Sequence, residues 1–193
     1  MKNELFHYGV KGQKWGIRRY QNEDGTLTEF GKKHYKTSGE RLFVSGSSKT
    51  QDSESVYYRK KLPKDVRREL ERSVKNKDTI IVGDAPGIDR QVQDFLVKYR
   101  NVVVYGPGEK VRYQANPKWK SRPIPAPEYE AGSKEWLAKK DIAMTNDSTR
   151  GLAIVLDEGS SATRRNIDRL IGQNKNVKVF ELSRNGKKND KWW

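Results

Sequence analysis

Five short apolar runs constrain this chain most. They are RLFVSG (41–46), TIIVG (79–83), VVVY (102–105), LAIVL (152–156) and VKVFEL (177–182). Each is four to six residues long and mostly apolar, without the strict polar alternation of a half-exposed strand. Such runs suit strands buried on both faces. Between them lie segments with a helical period. In LPKDVRRELERSVKNKD, Val66, Leu70 and Val74 recur every four residues, with Pro63 near the start and Asp65 in the first turn. The second helix starts near Pro86 or Gly87 and carries Ile88, Val92, Phe95, Leu96 and Tyr99 on one face. Ser133 caps SKEWLAKKDIAM, with Leu137 and Met144 on its apolar side. Ile167, Leu170 and Ile171 lie on a closing helix. Strand and helix therefore alternate. This predicts an α/β fold, Rossmann-like and doubly wound, with a mainly parallel five-stranded sheet and helices on both faces. Ligands are expected at the carboxyl ends of the strands.

The alternation leaves three segments over. Residues 1–40 are Gly-rich and aromatic, and read as a flexible basic arm. They carry eight Lys and Arg against five acids. Their interleaved aromatics and cations suit either stacking on nucleic acid or docking on a partner or on the body. Residues 106–132 are loop-like and Pro-rich, and a connection of that length is usually functional. Residues 183–193 form a polar tail that ends in two tryptophans. The expected organisation is thus an arm (1–40), a Rossmannoid domain (41–182) and a tail (183–193).

Composition removes several classes of function. The chain has no cysteine, and its two histidines, His7 and His34, both lie in the arm. Disulfide scaffolds, thiolate metal sites and Cys nucleophiles are excluded, and the main body has no histidine for a triad or a metal. No metal or cofactor is called for. No apolar run approaches the ~18 residues of a membrane span, so no membrane partner is expected. The N-terminal stretch has neither an apolar h-region nor a small-residue cleavage site, so a cytoplasmic setting is expected. The 193 residues carry a net charge of +15, which raises the prospect of weak nucleic-acid binding. The best surface for it is Lys110, Arg112, Lys118, Lys120 and Arg122 in the long loop, with Tyr113 and Trp119 between them. The position of this loop after the third strand favours a lid over an anionic ligand instead.

Three polar turns follow strands: Ser45-Gly46-Ser47-Ser48, Gly83-Asp84-Ala85-Pro86-Gly87-Ile88-Asp89, and Asp157-Glu158-Gly159-Ser160-Ser161-Ala162-Thr163. In a parallel sheet all three reach one edge. Glycine admits close backbone approach, hydroxyls donate and accept, and helix N-termini offer free N–H groups. Together they suit a phosphate or a ribose. None is a Walker loop or a GxGxxG fingerprint.

Residues 41–182 resemble the SLOG superfamily, Rossmannoid relatives of the cytokinin-activating LOG enzymes, and within it the YspA-like branch. The resemblance rests on FVSGS (43–47), VGDAPGIDRQVQDFL (82–96), NVVVY (101–105), KKDIAM (139–144), GLAIVLDEGSSATRRNI (151–167) and VKVFEL. It implies a nucleotide-derived ligand, lined by Gly46, Ser47, Gly83, Asp84, Gly87, Asp89, Lys140, Asp141, Ser160 and Thr163. It also implies pairing of copies into a homo-oligomer through helices. Some members cleave the N-glycosidic bond of a nucleoside monophosphate. They carry a PGGxGT turn with a Glu three residues after the Thr, whereas this chain has EGSSAT and Asn166. Asp89 and Asp141 are then the candidate catalytic carboxylates. Their alternative roles are helix capping for Asp89, as for Asp84, and pairing with Lys139 or Lys140 for Asp141. The arm sequence HYGVKGQKWGIRRYQNEDGTLTEFGKKHY resembles a segment that recurs at the ends of phage-encoded, virion-associated proteins. It implies phage or prophage origin, with virion proteins as partners of residues 1–40 and the virion as a second location.

Overall fold

The computed structural model describes residues 39–47, 62–156, 161–182 and 188–192, together with Asn22, Thr28 and Glu29. The chain divides into two units, residues 1–38 and 39–193. The arm sequence therefore lies almost wholly outside the described residues, as do Ser160 and Trp193.

The second unit is an α/β sandwich. Its strands are β1 (Arg41–Gly46), β2 (Thr79–Gly83), β3 (Val102–Pro107), β4 (Lys120–Ile124), β5 (Arg150–Leu156), β6 (Asn176–Leu182) and β7 (Lys188–Trp192). Its helices are α1 (Lys64–Lys75), α2 (Ile88–Phe95), α3 (Lys134–Asp147) and α4 (Ser161–Gly172). The sheet order is β4-β3-β2-β1-β5-β6-β7. The first six strands are parallel, and β7 adds antiparallel to β6.

Why the five apolar runs form the middle of this sheet is seen in their alternation. Leu42, Val44, Ile80, Val82, Leu152 and Ile154 enter one core with Val66 and Leu70 of α1 and Ile88 and Val92 of α2. Phe43, Ile81, Ala153 and Val155 enter the other, with Met144 of α3 and Leu170 of α4. Both faces are covered by core, so the central positions of these strands are apolar. The chain moves one way across the sheet from β1 to β4 and the other way from β5. The helices change face at that reversal, as crossovers of one hand require.

Five strands were expected and seven are present. The missed β4 has the sequence KSRPI, exposed along most of its length. Pro123 has no N–H to donate, which an edge strand tolerates because its outer side pairs with nothing. Charge and proline blunt the edge, and both hide the strand from a search for apolar runs. The second, β7 (KNDKW), is a polar backbone addition to β6. The sheet thus continues past Leu182, where only a tail was expected. One helix assignment also changes: Met144 is buried, but Leu137 is exposed. The serine cap of α3 is present, with Ser133 Oγ accepting from the Trp136 N–H at 3.2 Å.

At the amino edge an ionic network ties α1 to the sheet. Glu69 is 5% exposed; it meets Lys178 of β6 at 2.9 Å and Arg150 of β5 at 3.7 Å. Arg150 also donates to Asp78 at 2.6 Å and to Ser73 at 2.8 Å. Burying a carboxylate is tolerable only with such partners.

Leu70→Ala removes a side chain with no exposure from the first core and should lower unfolding stability by ~2–5 kcal/mol in urea titration. Ile142→Ala, on the exposed side of α3, should change it by less than about 0.5 kcal/mol. Equal losses would contradict this assignment of the faces.

Candidate functional site

The carboxyl edge of the sheet is built around Gly83. A Cβ there would collide with Asp89 Oδ2 and Lys140 Nζ. Asp89 stands in the first turn of α2, on one face of the sheet, and Lys140 stands on α3, on the other. The two side chains therefore meet over the end of β2, and glycine is the residue that lets them pass. Lys140 Nζ lies 3.9 Å from Asp89 Oδ2 and 3.5 Å from Asp141 Oδ1. Asp89 and Lys140 are each 7% exposed. Asp89 Oδ2 also accepts from the Ala85 N–H at 3.3 Å.

The neighbouring glycines serve packing. A Cβ on Gly46 would strike the Ile88 side chain, and the Ile88 N–H donates to Ser47 O at 3.1 Å. The end of β1 is thereby sewn to the start of α2. Gly87 has φ 90°, a conformation that glycine alone adopts freely, and forms the N-cap position of α2 without a side-chain cap. Asp84 does not cap the helix. It is 2% exposed and receives Arg112 in a fork, from Nη2 at 2.5 Å and Nε at 3.1 Å, with the Arg112 N–H at 2.7 Å. Gly106 leaves room for it, since a Cβ there would lie 2.6 Å from Asp84 Oδ2.

Of the ten site residues expected from the sequence, Gly83, Asp84, Asp89, Lys140 and Asp141 form one cluster, while Gly46, Ser47 and Gly87 stand where β1 meets the start of α2. Thr163 is buried on α4, and no described contact joins it to the cluster. Ser160 lies outside the described residues. The cap role fails for Asp89 as for Asp84. Asp141 pairs with Lys140 rather than Lys139, which reaches Glu128 at 2.9 Å. The sequence missed Gln93. It is fully buried, donates to Gly83 O at 2.8 Å and accepts from the Ala115 N–H at 3.0 Å, so it ties the long connection to the site. A polar residue on an otherwise apolar helix face was the available signal.

The long connection is not a single lid. Arg112 turns to the carboxyl edge, but Lys118, Lys120 and Arg122 lie beside the amino ends of the strands, because β4 must start there to run parallel to β3. Its aromatics are anchors. Trp119 is buried and donates Nε1–H to Tyr99 O at 2.5 Å. Tyr113 donates to Asp94 at 2.5 Å under the Arg90 guanidinium.

Three carboxylates (Asp84, Asp89, Asp141) face two cations (Lys140, Arg112) in this cluster. Burial pushes the Asp89 carboxyl up from 3.8 to about 6; the Asp141 and Asp84 charges add to the rise, while Lys140 and the Ala85 N–H oppose it. Burial works against the Lys140 ammonium, but Asp89, Asp141 and Asp84 together outweigh it and hold the group above its ordinary range. Side chains so placed can accept from hydroxyl or amino groups and exchange a proton near neutrality. Asn166 is 3% exposed; its Nδ2 donates to Ser45 Oγ at 3.0 Å and its Oδ1 accepts from Arg169 at 2.6 Å. It bridges α4 to β1.

No family model and no curated protein matches the chain. Among solved structures it is similar to DNA processing protein A from Helicobacter pylori, a protein described for its single-stranded DNA binding mode. The TM-score is 0.51 at 12% identity, covering 76% of this chain and 67% of that one. A likeness at that identity bears on the fold alone. Among the described residues no helix is long and apolar enough to cross a membrane.

A folded-state pKa raised from 3.8 to about 6 means that the native state holds this proton more tightly than the unfolded chain. The stabilising contribution is present below pH ~4 and is lost as pH rises through ~6. Between pH ~4 and neutral pH, Asp89→Asn should therefore lose less stability than the native chain, by ~1–3 kcal/mol. Urea titration of both proteins at both pH values checks this, and an equal loss in the two would contradict it.

Proposed function

We propose that the carboxyl edge of this sheet binds a nucleotide or a nucleotide-derived ligand. The observation that carries the reading is the buried Asp89–Lys140–Asp141 cluster over Gly83. It lies at the sheet edge where doubly wound folds receive ligands, beside the strand at which the order reverses. Buried ionisable groups with displaced proton affinity collect at functional sites. The carboxylates suit ribose hydroxyls or the amino group of a base. Phosphates are then left to the N–H groups of the first turn of α2 other than that of Ile88, which Ser47 O already takes. The resemblance to SLOG domains points the same way, toward sensing, sequestering or metabolising such a ligand.

Thermal melting of the full chain with ADP-ribose, NAD, cyclic nucleotides and nucleoside monophosphates tests the proposal. A bound ligand at about a hundred times its Kd should raise the Tm by ~5–10 °C. Lys140→Met should abolish the shift. No shift with any nucleotide would overturn the reading.

One observation favours a second reading, nucleotide N-glycosidase activity. Asp89, at about 6, is suited to acid–base work. Asn166 counts against it, since an amide held by Ser45 and Arg169 cannot stabilise charge on a departing ribose. Free base released from a monophosphate, and lost in both Asp89→Asn and Asp141→Asn, would establish this reading; its absence leaves a binding protein. Phage origin and a virion-directing role for residues 1–40 rest on the arm sequence alone. Detection of the chain in purified particles by mass spectrometry would support them, and absence would remove them.

A further inference from the structure

We infer a second, separate site, at the opposite edge of the sheet, that takes the phosphodiester backbone of single-stranded nucleic acid. Arg41, Thr79, Asn101, Val103, Tyr105, Lys120 and Arg122 share one face of β1 to β4 by strand register. That is the face covered by α3, but α3 ends at Asp147 and leaves the amino ends of these strands open. What remains is a cavity of about 420 Å³ lined by five cations: Arg41, Arg100, Lys118, Lys120 and Arg122.

The charge in this slot is largely unspent. Asp147 meets Arg41 at 3.8 Å and also pairs with Arg122, and it accepts from the Tyr105 hydroxyl. Arg100, Lys118 and Lys120 are exposed and have no ion pair among the described residues. Like charges held together without anions repel, so such a group is stable when something anionic lies among them.

The shape selects the ligand. The slot crosses four strands, about 14 Å at the usual strand spacing, and is concave. A flat bilayer surface does not enter it, whereas a single extended backbone does. Among the described residues that line the slot, no aromatic ring is offered to bases, because Tyr105 is fully buried, and the neighbouring Trp119 is 5% exposed. Binding therefore acts through phosphates, tolerates any sequence and depends strongly on salt.

The test is fluorescence anisotropy of the full chain with a labelled oligo(dT) and a mixed-sequence strand of the same length, across a salt series. The triple variant Arg100→Ala, Lys118→Ala, Lys120→Ala should bind both strands at least about tenfold more weakly. Its slope of log affinity against log salt should be shallower by ~2, for three contacts at ~0.7 each. The triple variant Lys64→Ala, Arg68→Ala, Lys75→Ala removes the same charge from exposed positions of α1 and should bind like the native chain. Equal losses in the two triple variants, or none in the first, would overturn the inference. So would capture by phosphatidylserine vesicles that the first variant loses, without oligonucleotide binding. Lys120→Glu alone serves if the triple variant does not fold, and it should weaken binding as well.

Discussion

The Lys140 ammonium sits almost out of water at the carboxyl end of β2, and the rest of the site follows from accommodating it. A buried charge is costly unless partners surround it. Asp89 must therefore occupy the first turn of α2, and Asp141 must follow directly on α3. The pair joins helices that cover opposite faces of the sheet, so it passes over the sheet's edge, and a side chain at position 83 would have to push Asp89 and Lys140 aside. Gln93 and Arg112 then hold the long connection against the same spot. One ion pair thus fixes a glycine, two helix registers and the path of a loop.

The two edges of the sheet use charge differently. At the carboxyl edge carboxylates and cations nearly cancel inside a buried cluster. At the amino edge they divide. Around β5 and β6, Arg150 and Lys178 are consumed by Asp78 and Glu69. Around β3 and β4 the cations outnumber Asp147, the acidic residue that pairs with them among the described residues. The +15 of the whole chain is in this sense a local property. Part of it stands as a lined slot rather than as a uniform coat.

Much of the fold was legible because burial on both faces favours mainly apolar runs, and β1, β2, β3, β5 and β6 have them. β4 and β7 were not legible, since an edge strand needs only backbone partners and can be KSRPI or KNDKW. The turn from Gly83 to Asp89 was legible as a candidate site because glycine and carboxylate follow a strand end. Their roles were not. Asp84 and Asp89 look like caps in one dimension, while their true partners, Arg112 and Lys140, are 28 and 51 positions away along the chain. The same distance effect split the basic loop, whose residues read as one surface until β4 carried Lys118, Lys120 and Arg122 to the far edge.

The central claim is that the Asp89–Lys140 cluster is a binding site and not merely a clamp. Carbon-13 NMR titration of the Asp89 side-chain carboxyl, with and without ADP-ribose or a nucleoside monophosphate, reads it most directly. The account predicts a midpoint near 6 in the free protein that moves when a nucleotide is added. A midpoint near the ordinary aspartate value of ~4, unmoved by every nucleotide, would contradict it.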